Sequence, residues 1–475
     1  MAKPDISAFY DETKKLIAKA VGKPKMKIFE IGDKGEFPYT FLTNNNRFFS
    51  ETYDFINRDL VSDPGTDYMA FADPLINRYS TYYSQLGWKL SDADDEQMKK
   101  VLEKSQEASG TLVVEYERLY GEITVEQLKE AKRVNKHDYI IDVVLRQWTG
   151  GKKFKFEEDT LDNLEEYLPE MPDSGKKLLP LISKAMKPYL AVAGLVNSQL
   201  AAEDVMGDIR NNINNPKKDK ESIAVEGDKP EADPKRRPGF KITPTIPKTI
   251  DDRLKDPGSS KATVTMNFSN FSEGKADLKV GNHAVGAIQL ANILTFSGSS
   301  GHSYSLEKMN TSSEDCSVSL TYRGLTVVYI EQVKYKSDLR SGWFDLAPLE
   351  QALRYGPDHD KTGYILTPYP DDKGINALEY LVISCFPSLK VSYQSGSASS
   401  VLEELKSSDS ISVSLFGIPL GAAGYSYNEK NFNSHGEGKG FEISFETPME
   451  VTGNTLDRRA HVIGGGVRSI HPIIK

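Results

Sequence analysis

The chain has 475 residues, of which 38% are hydrophobic, 10% aromatic and 27% charged. That is enough apolar matter for packed cores and excludes a wholly disordered protein, while the length suits about two to four domains. A net charge of −9 argues against a binder of DNA or any other nucleic acid, and two cysteines argue against a disulfide framework or a Cys-rich zinc site.

The opening text lacks the apolar core of a secretory signal, and no fully uncharged apolar run is long enough to span a bilayer. The expected location is therefore cytoplasmic, with release by a non-classical route as the exception. The spacing of Phe9, Leu16, Ile17 and Ala20 predicts an amphipathic helix capped by Asp5 or Ser7, followed by a short strand over 26–31. Asp73-Pro74 then opens a helix carrying Leu75, Ile76, Tyr79, Tyr82 and Tyr83, which Gly87 ends. Ser91 caps the next helix and Gly121 stops it, while Thr124 with Gln127 has the capping-box spacing. Helical periodicity continues over 138–148 and 161–168. Residues 178–206 read as one or two helices, with Pro180 and Pro188 as kinks or boundaries. The uncharged stretch 189–202 within them reads as a buried core helix.

Composition changes at residue 216. Residues 216–260 hold seven prolines, 20 charges and a single aromatic, Phe240, and predict an extended charged spacer. Beyond it the hydrophobic period falls from 3.6 to 2. Apolar residues alternate with polar ones at Val264, Met266 and Phe268, at Val318, Leu320 and Tyr322, at Ile411, Val413 and Leu415, and at Phe441, Ile443 and Phe445. Arg323-Gly324 reads as the turn of a hairpin into 326–334, and helices are expected over 345–355 and 399–405. The expected organisation is α+β: a mainly helical domain over 1–215, a Pro-rich linker over 216–260, and a mainly antiparallel β-sandwich-like domain with one or two helices over 261–475.

No motif fixes a reaction. The seven histidines show no metal-binding spacing, and phosphate-binding and nucleophile-elbow patterns are missing, so no cofactor is expected. Gly464-Gly465-Gly466 precedes no amphipathic helix. Asp358 and Asp360, in the loop Asp358-His359-Asp360-Lys361-Thr362-Gly363, alternate as hard-cation ligands do and mark an incidental metal site. Residues 37–88 concentrate 13 of the 46 aromatic residues. From this belt Tyr79, Tyr83 and Trp88 are the candidate partner-binding residues, since such rings pair an apolar body with a polar rim. The sequence thus favours a non-catalytic interaction or assembly protein that binds a protein partner or forms a homo-oligomer. One alternative is a membrane-acting, pore-forming-toxin-like protein that inserts an amphipathic hairpin over 410–447. Another is a hydrolase whose carboxylates come together from distant positions.

Overall fold

The computed structural model describes residues 7–29, 36–38, 48–61, 68–131, 133, 135–150, 158–226, 234–245, 247–256, 258, 260–267, 275–280, 283–289, 294–297, 303–305, 316–370, 374–393, 412–415, 418–420, 429–434, 441–446 and 459–470. They form an α+β fold, with helices concentrated in the N-terminal half and antiparallel sheets in the C-terminal half. The chain packs as two units. One comprises Met1–Ser84, Asp208–Leu346 and Pro370–Lys475, the other Gln85–Gly207 and Ala347–Tyr369.

The first unit is built on an eight-stranded sheet. Its order runs Arg58–Val61, Tyr68–Pro74, Lys27–Phe29, Arg459–Ile470, Ile375–Ser384, Thr326–Gln332, Phe240–Thr243, and Glu36–Pro38 also pairs with Arg459–Ile470. The strand Lys27–Phe29 pairs parallel with Tyr68–Pro74, and the other pairings are antiparallel. Arg459–Ile470 lies in the middle because Gly464, Gly465 and Gly466 let its neighbours approach. A Cβ at Gly464 would lie 2.2 Å from the carbonyl oxygen of Lys27, and one at Gly465 would lie 2.4 Å from that of Tyr380. The triple glycine is thus the centre of a sheet.

These pairings change the expected layout. Residues from before 84 and from after 458 share one sheet, so the divisions at 215 and 260 do not describe how the chain packs. The stretch 216–260 carries strands Ile223–Glu226, Lys235–Arg237 and Phe240–Thr243 and the helix Pro247–Lys255. Phe240 and Ile242 are buried while Lys241 and Thr243 are exposed, and Ile242 pairs with Ile330. Composition averaged over 45 residues hides a four-residue strand that takes its stability from its neighbours. The expected hairpin at Arg323-Gly324 is also corrected. Cys316–Tyr322 pairs with Ala262–Asn267 and Ser388–Tyr393 in a five-stranded antiparallel sheet, whereas Thr326–Gln332 belongs to the eight-stranded one. Gly324, at φ 68°, passes the chain between sheets while packed so closely on Leu254 that a Cβ would meet its carbonyl oxygen at 2.5 Å.

The second unit is mainly helical. Ser91 caps the helix Asp92–Tyr120 by accepting from the Asp94 N–H at 3.1 Å, and Gly121 ends it at φ 92°. Thr124 and Gln127 form a complete capping box on Val125–Glu130. Leu112, Ile140, Leu145, Leu161, Leu164, Leu178 and Ile182 are among its buried core residues. The helix Leu179–Asn214, whose residues 179–207 belong to this unit, is one continuous helix with Pro188 inside it, not two pieces. Pro180 occupies the first turn, where its missing N–H costs nothing. With the 3-10 turn before it, the helical run Asp173–Asn214 is long and apolar enough, by length and composition, to cross a membrane, and only 17% of its most apolar window is buried. Within 189–202 Val192 and Ala202 are buried and the remainder are half-buried or exposed, so this stretch is not the expected core helix. The expected helix over 399–405 lies outside the described residues.

Candidate functional site

The sequence-predicted partner residues go to the interior. Tyr79 and Tyr83 lie on the buried face of the helix Leu75–Gln85 and are both 0% exposed. The Tyr83 hydroxyl donates to the carbonyl oxygen of Asp345 at 2.6 Å. The Tyr79 ring packs 5.3 Å from Trp343 and 5.1 Å from Phe344. Burial pushes the Tyr79 phenol well above its usual range, against the lowering effect of its hydrogen bonds. These two tyrosines are core residues, corrected from a surface role. Helical spacing puts a ring on the apolar face, and that face is what the fold covers. Trp88 is half-buried on the short strand Leu86–Lys89, edge-on to Tyr364 at 5.1 Å.

The acidic loop has a structural occupation. The Asp360 carboxylate accepts from the Asp92 backbone N–H at 2.8 Å, Thr362 accepts from the Ser91 N–H at 2.8 Å, and the Thr362 hydroxyl donates to Asp94. Lys89 donates to the His359 carbonyl oxygen at 3.1 Å. The loop 358–362 therefore clamps the start of the helix Asp92–Tyr120, where backbone N–H groups need acceptors. The Thr362 and Ser91 hydrogen bonds hold the Asp94 carboxyl below its usual range. Burial, and then the nearby Lys89 and Lys361 ammonium groups, hold the His359 imidazole below its own. Among the described residues no group of three or more His, Cys, Asp or Glu side chains gathers as metal ligands would. Asp358 and Asp360 are both exposed, and the alternation that suggests cation binding here accompanies helix capping.

A groove of about 610 Å³ in the other unit is lined by Asp11, Lys14, Lys15, Ala18, Lys19, Gly22 and Pro24. Its cationic character is offset by Asp11 and by Glu12, 4.0 Å from Lys15.

The feature that sequence reasoning missed is the uncovered face of the helix Leu179–Asn214. Ile182, Ala185 and Val192 are buried on one side. Along the same helix Lys187, Ala191, Gly194, Asn197, Ser198, Leu200, Ala201 and Asp204 are exposed, Ala202 is buried, and Leu190 is half-buried with its side chain packed against the unit's core. Leu200 is 54% exposed. Of the eight large apolar side chains exposed among the described residues, six belong to the helical unit: Leu102, Val114, Tyr120, Val125, Tyr167 and Leu200. The face is uncharged in its middle, where Asn197 and Ser198 sit among Ala191, Gly194, Leu200 and Ala201, with Lys184 and Lys187 before it and Glu203 and Asp204 after it. The signal in the sequence was an uncharged stretch bounded by opposite charges, which reads the same whether or not a partner covers it. No family model, no curated protein and no solved structure matches this chain.

Proposed function

We propose that this chain is a non-catalytic assembly protein whose helical unit binds a helical protein surface through the uncovered face of Leu179–Asn214. The observation that carries the reading is the exposure of Ala191, Gly194, Leu200 and Ala201 on a continuous helix. Uncovered apolar residues of this kind on a long element mark sites of association. The Asp360 carboxylate and the Thr362 hydroxyl of the loop 358–362 are engaged at the start of the helix Asp92–Tyr120, which gives the hydrolase reading no support from those two groups.

Membrane action draws less support from the same helix. Its charge-free run, 188–202, has 15 residues, about 22 Å of helix against a hydrocarbon core of about 30 Å. The hairpin imagined over 410–447 also loses support. Ser412–Leu415 pairs with Leu294–Ser297 and Ile418–Leu420, while Phe441–Glu446 pairs with Ser388–Tyr393 and Glu429–Ser434. The two intended arms belong to different sheets, and the rest of that span lies outside the described residues.

Light scattering on the purified full chain after size exclusion tests the reading. Assembly above the 52.9 kDa chain mass, lost when Gly194→Lys and Ala201→Lys are combined, supports it. Assembly indifferent to that double substitution overturns it, as does a chain that stays monomeric and binds no helical partner peptide.

A further inference from the structure

We infer that the occupant of this face is the same face of a second copy of the chain, with the two helices antiparallel. This rests on the reading above and supplies its partner and geometry. Lys187, Leu190, Gly194, Asn197, Ala201 and Asp204 follow one another at alternating intervals of three and four residues, the spacing that keeps side chains on one seam of a helix pair. The seam begins with a cation and ends with an anion.

That polarity selects the orientation. In an antiparallel pair Lys187 opposes Asp204, Leu190 opposes Ala201 and Gly194 opposes Asn197, and the two-fold axis repeats each contact. Both ends then bring opposite charges together. A parallel pair sets Lys187 against Lys187 and Asp204 against Asp204, which costs at both ends. On the flank, the antiparallel pair places Leu200 beside Ala193 of the second copy and takes an exposed leucine out of water. Within the chain Lys187 reaches Asp162, but their side chains are 46% and 52% exposed. An ion pair in that setting contributes little, and Asp204, which also has an interaction within the chain, is exposed, so both ends of the seam exchange partners to form the pair. The seam covers 18 residues, about 27 Å of helix. An interface of this length is small and gives a reversible, concentration-dependent dimer.

Charge reversal tests it, read by sedimentation velocity on the full chain at low salt. Lys187→Asp alone puts two carboxylates at each end of the pair, and Asp204→Lys alone puts two ammonium groups there. Each should weaken dimerisation by about tenfold or more while leaving the circular dichroism melt near that of the wild type. Mixing the two variants in equal amounts should restore the dimer, because each end of the mixed pair again joins a cation to an anion. That recovery cannot come from a variant that has failed to fold. If the chain dimerises and both variants dimerise as the wild type does, this pairing is wrong, although assembly through another part of the helical unit stands. If the wild type is monomeric at all concentrations, the pairing falls. If it instead floats with anionic vesicles through this helix, a membrane is the occupant and the pairing falls with it.

Discussion

The Tyr79 hydroxyl holds both ends of the Asp345 backbone: it donates to the carbonyl oxygen at 2.7 Å and accepts from the N–H at 2.7 Å. A residue suited by its chemistry to a wet surface is thereby spent on satisfying a backbone segment beside the aromatic core of Trp343 and Phe344. Tyr79→Phe keeps the ring and removes both bonds. It should lower unfolding free energy by about 1–3 kcal/mol, measured by urea denaturation, and leave self-association unchanged. A variant as stable as the wild type would show that this hydroxyl contributes nothing to the core.

The loop 334–344 is held from the helix Leu179–Asn214 by Asn212. Asn212 donates to the carbonyl oxygens of Arg340 at 3.2 Å and Gly342 at 2.8 Å. Gly342 has φ 80°, and a Cβ there would sit 2.0 Å from the carbonyl oxygen of Lys334. Gly342→Ala therefore meets both backbone strain and a clash with main chain that cannot step aside. It should cost about 3 kcal/mol or more, seen as a lower melting temperature. An unchanged melt would mean that the turn is not held as described.

His461 gives a pH dependence with a definite sign. It is partly buried against Tyr322 and Phe386, with ring centroids at 5.9 and 5.8 Å, and burial pushes its pKa down from 6.5 to about 4. The unfolded chain binds this proton more readily than the fold does. The stability from the neutral ring is thus complete above about pH 6.5, declines as pH falls toward 4, and amounts to up to roughly 3 kcal/mol. Asp208 acts lower. Burial raises its pKa, but hydrogen bonds from Arg340 and Tyr335, both 2.7 Å, outweigh that and hold it below the usual carboxylate value. Its contribution is lost only as pH drops further. Denaturation midpoints between pH 7 and 4 should fall for the wild type and flatten for His461→Phe. Parallel curves for the two proteins would refute the assignment.

The capping box is a local test in the helical unit. Thr124→Ala removes the acceptor for the Gln127 N–H, held at 3.2 Å, and should cost about 1 kcal/mol in the melt of the full chain. Thr124→Ser should recover most of it, and equal losses in both variants would point away from capping.

Features dictated within a few residues were legible in the sequence. Ser91, Thr124 and Gly121 mark helix ends where the structure has them, because caps depend on local hydrogen bonding and φ. The alternation at Val318, Leu320 and Tyr322 marks a strand with all three residues buried. Pairing was not legible. Cys316–Tyr322 and Thr326–Gln332 are neighbours in sequence yet belong to separate sheets, and alternation says which face is wet but never which strand lies alongside. The same limit hid the site. Tyr79 and Tyr83 carry chemistry suited to a partner, whereas Ala191, Gly194 and Ala201 look unremarkable, and only the packing shows that the first pair is covered and the second set is not.

The arrangement of two helices is measured most directly by electron–electron dipolar spectroscopy. A single spin label on Lys184→Cys, with Cys316→Ser and Cys385→Ser, lies three residues before the seam. In the antiparallel pair position 184 opposes position 207, which separates the two labels by about 35 Å along the axis. In a parallel pair they sit side by side, one interhelical spacing of about 10 Å apart before label length is added. The antiparallel pair gives a distance distribution near 35–40 Å that vanishes on dilution with unlabelled protein. A distribution centred below about 20 Å, or no dipolar signal at concentrations where the chain is dimeric, would contradict it.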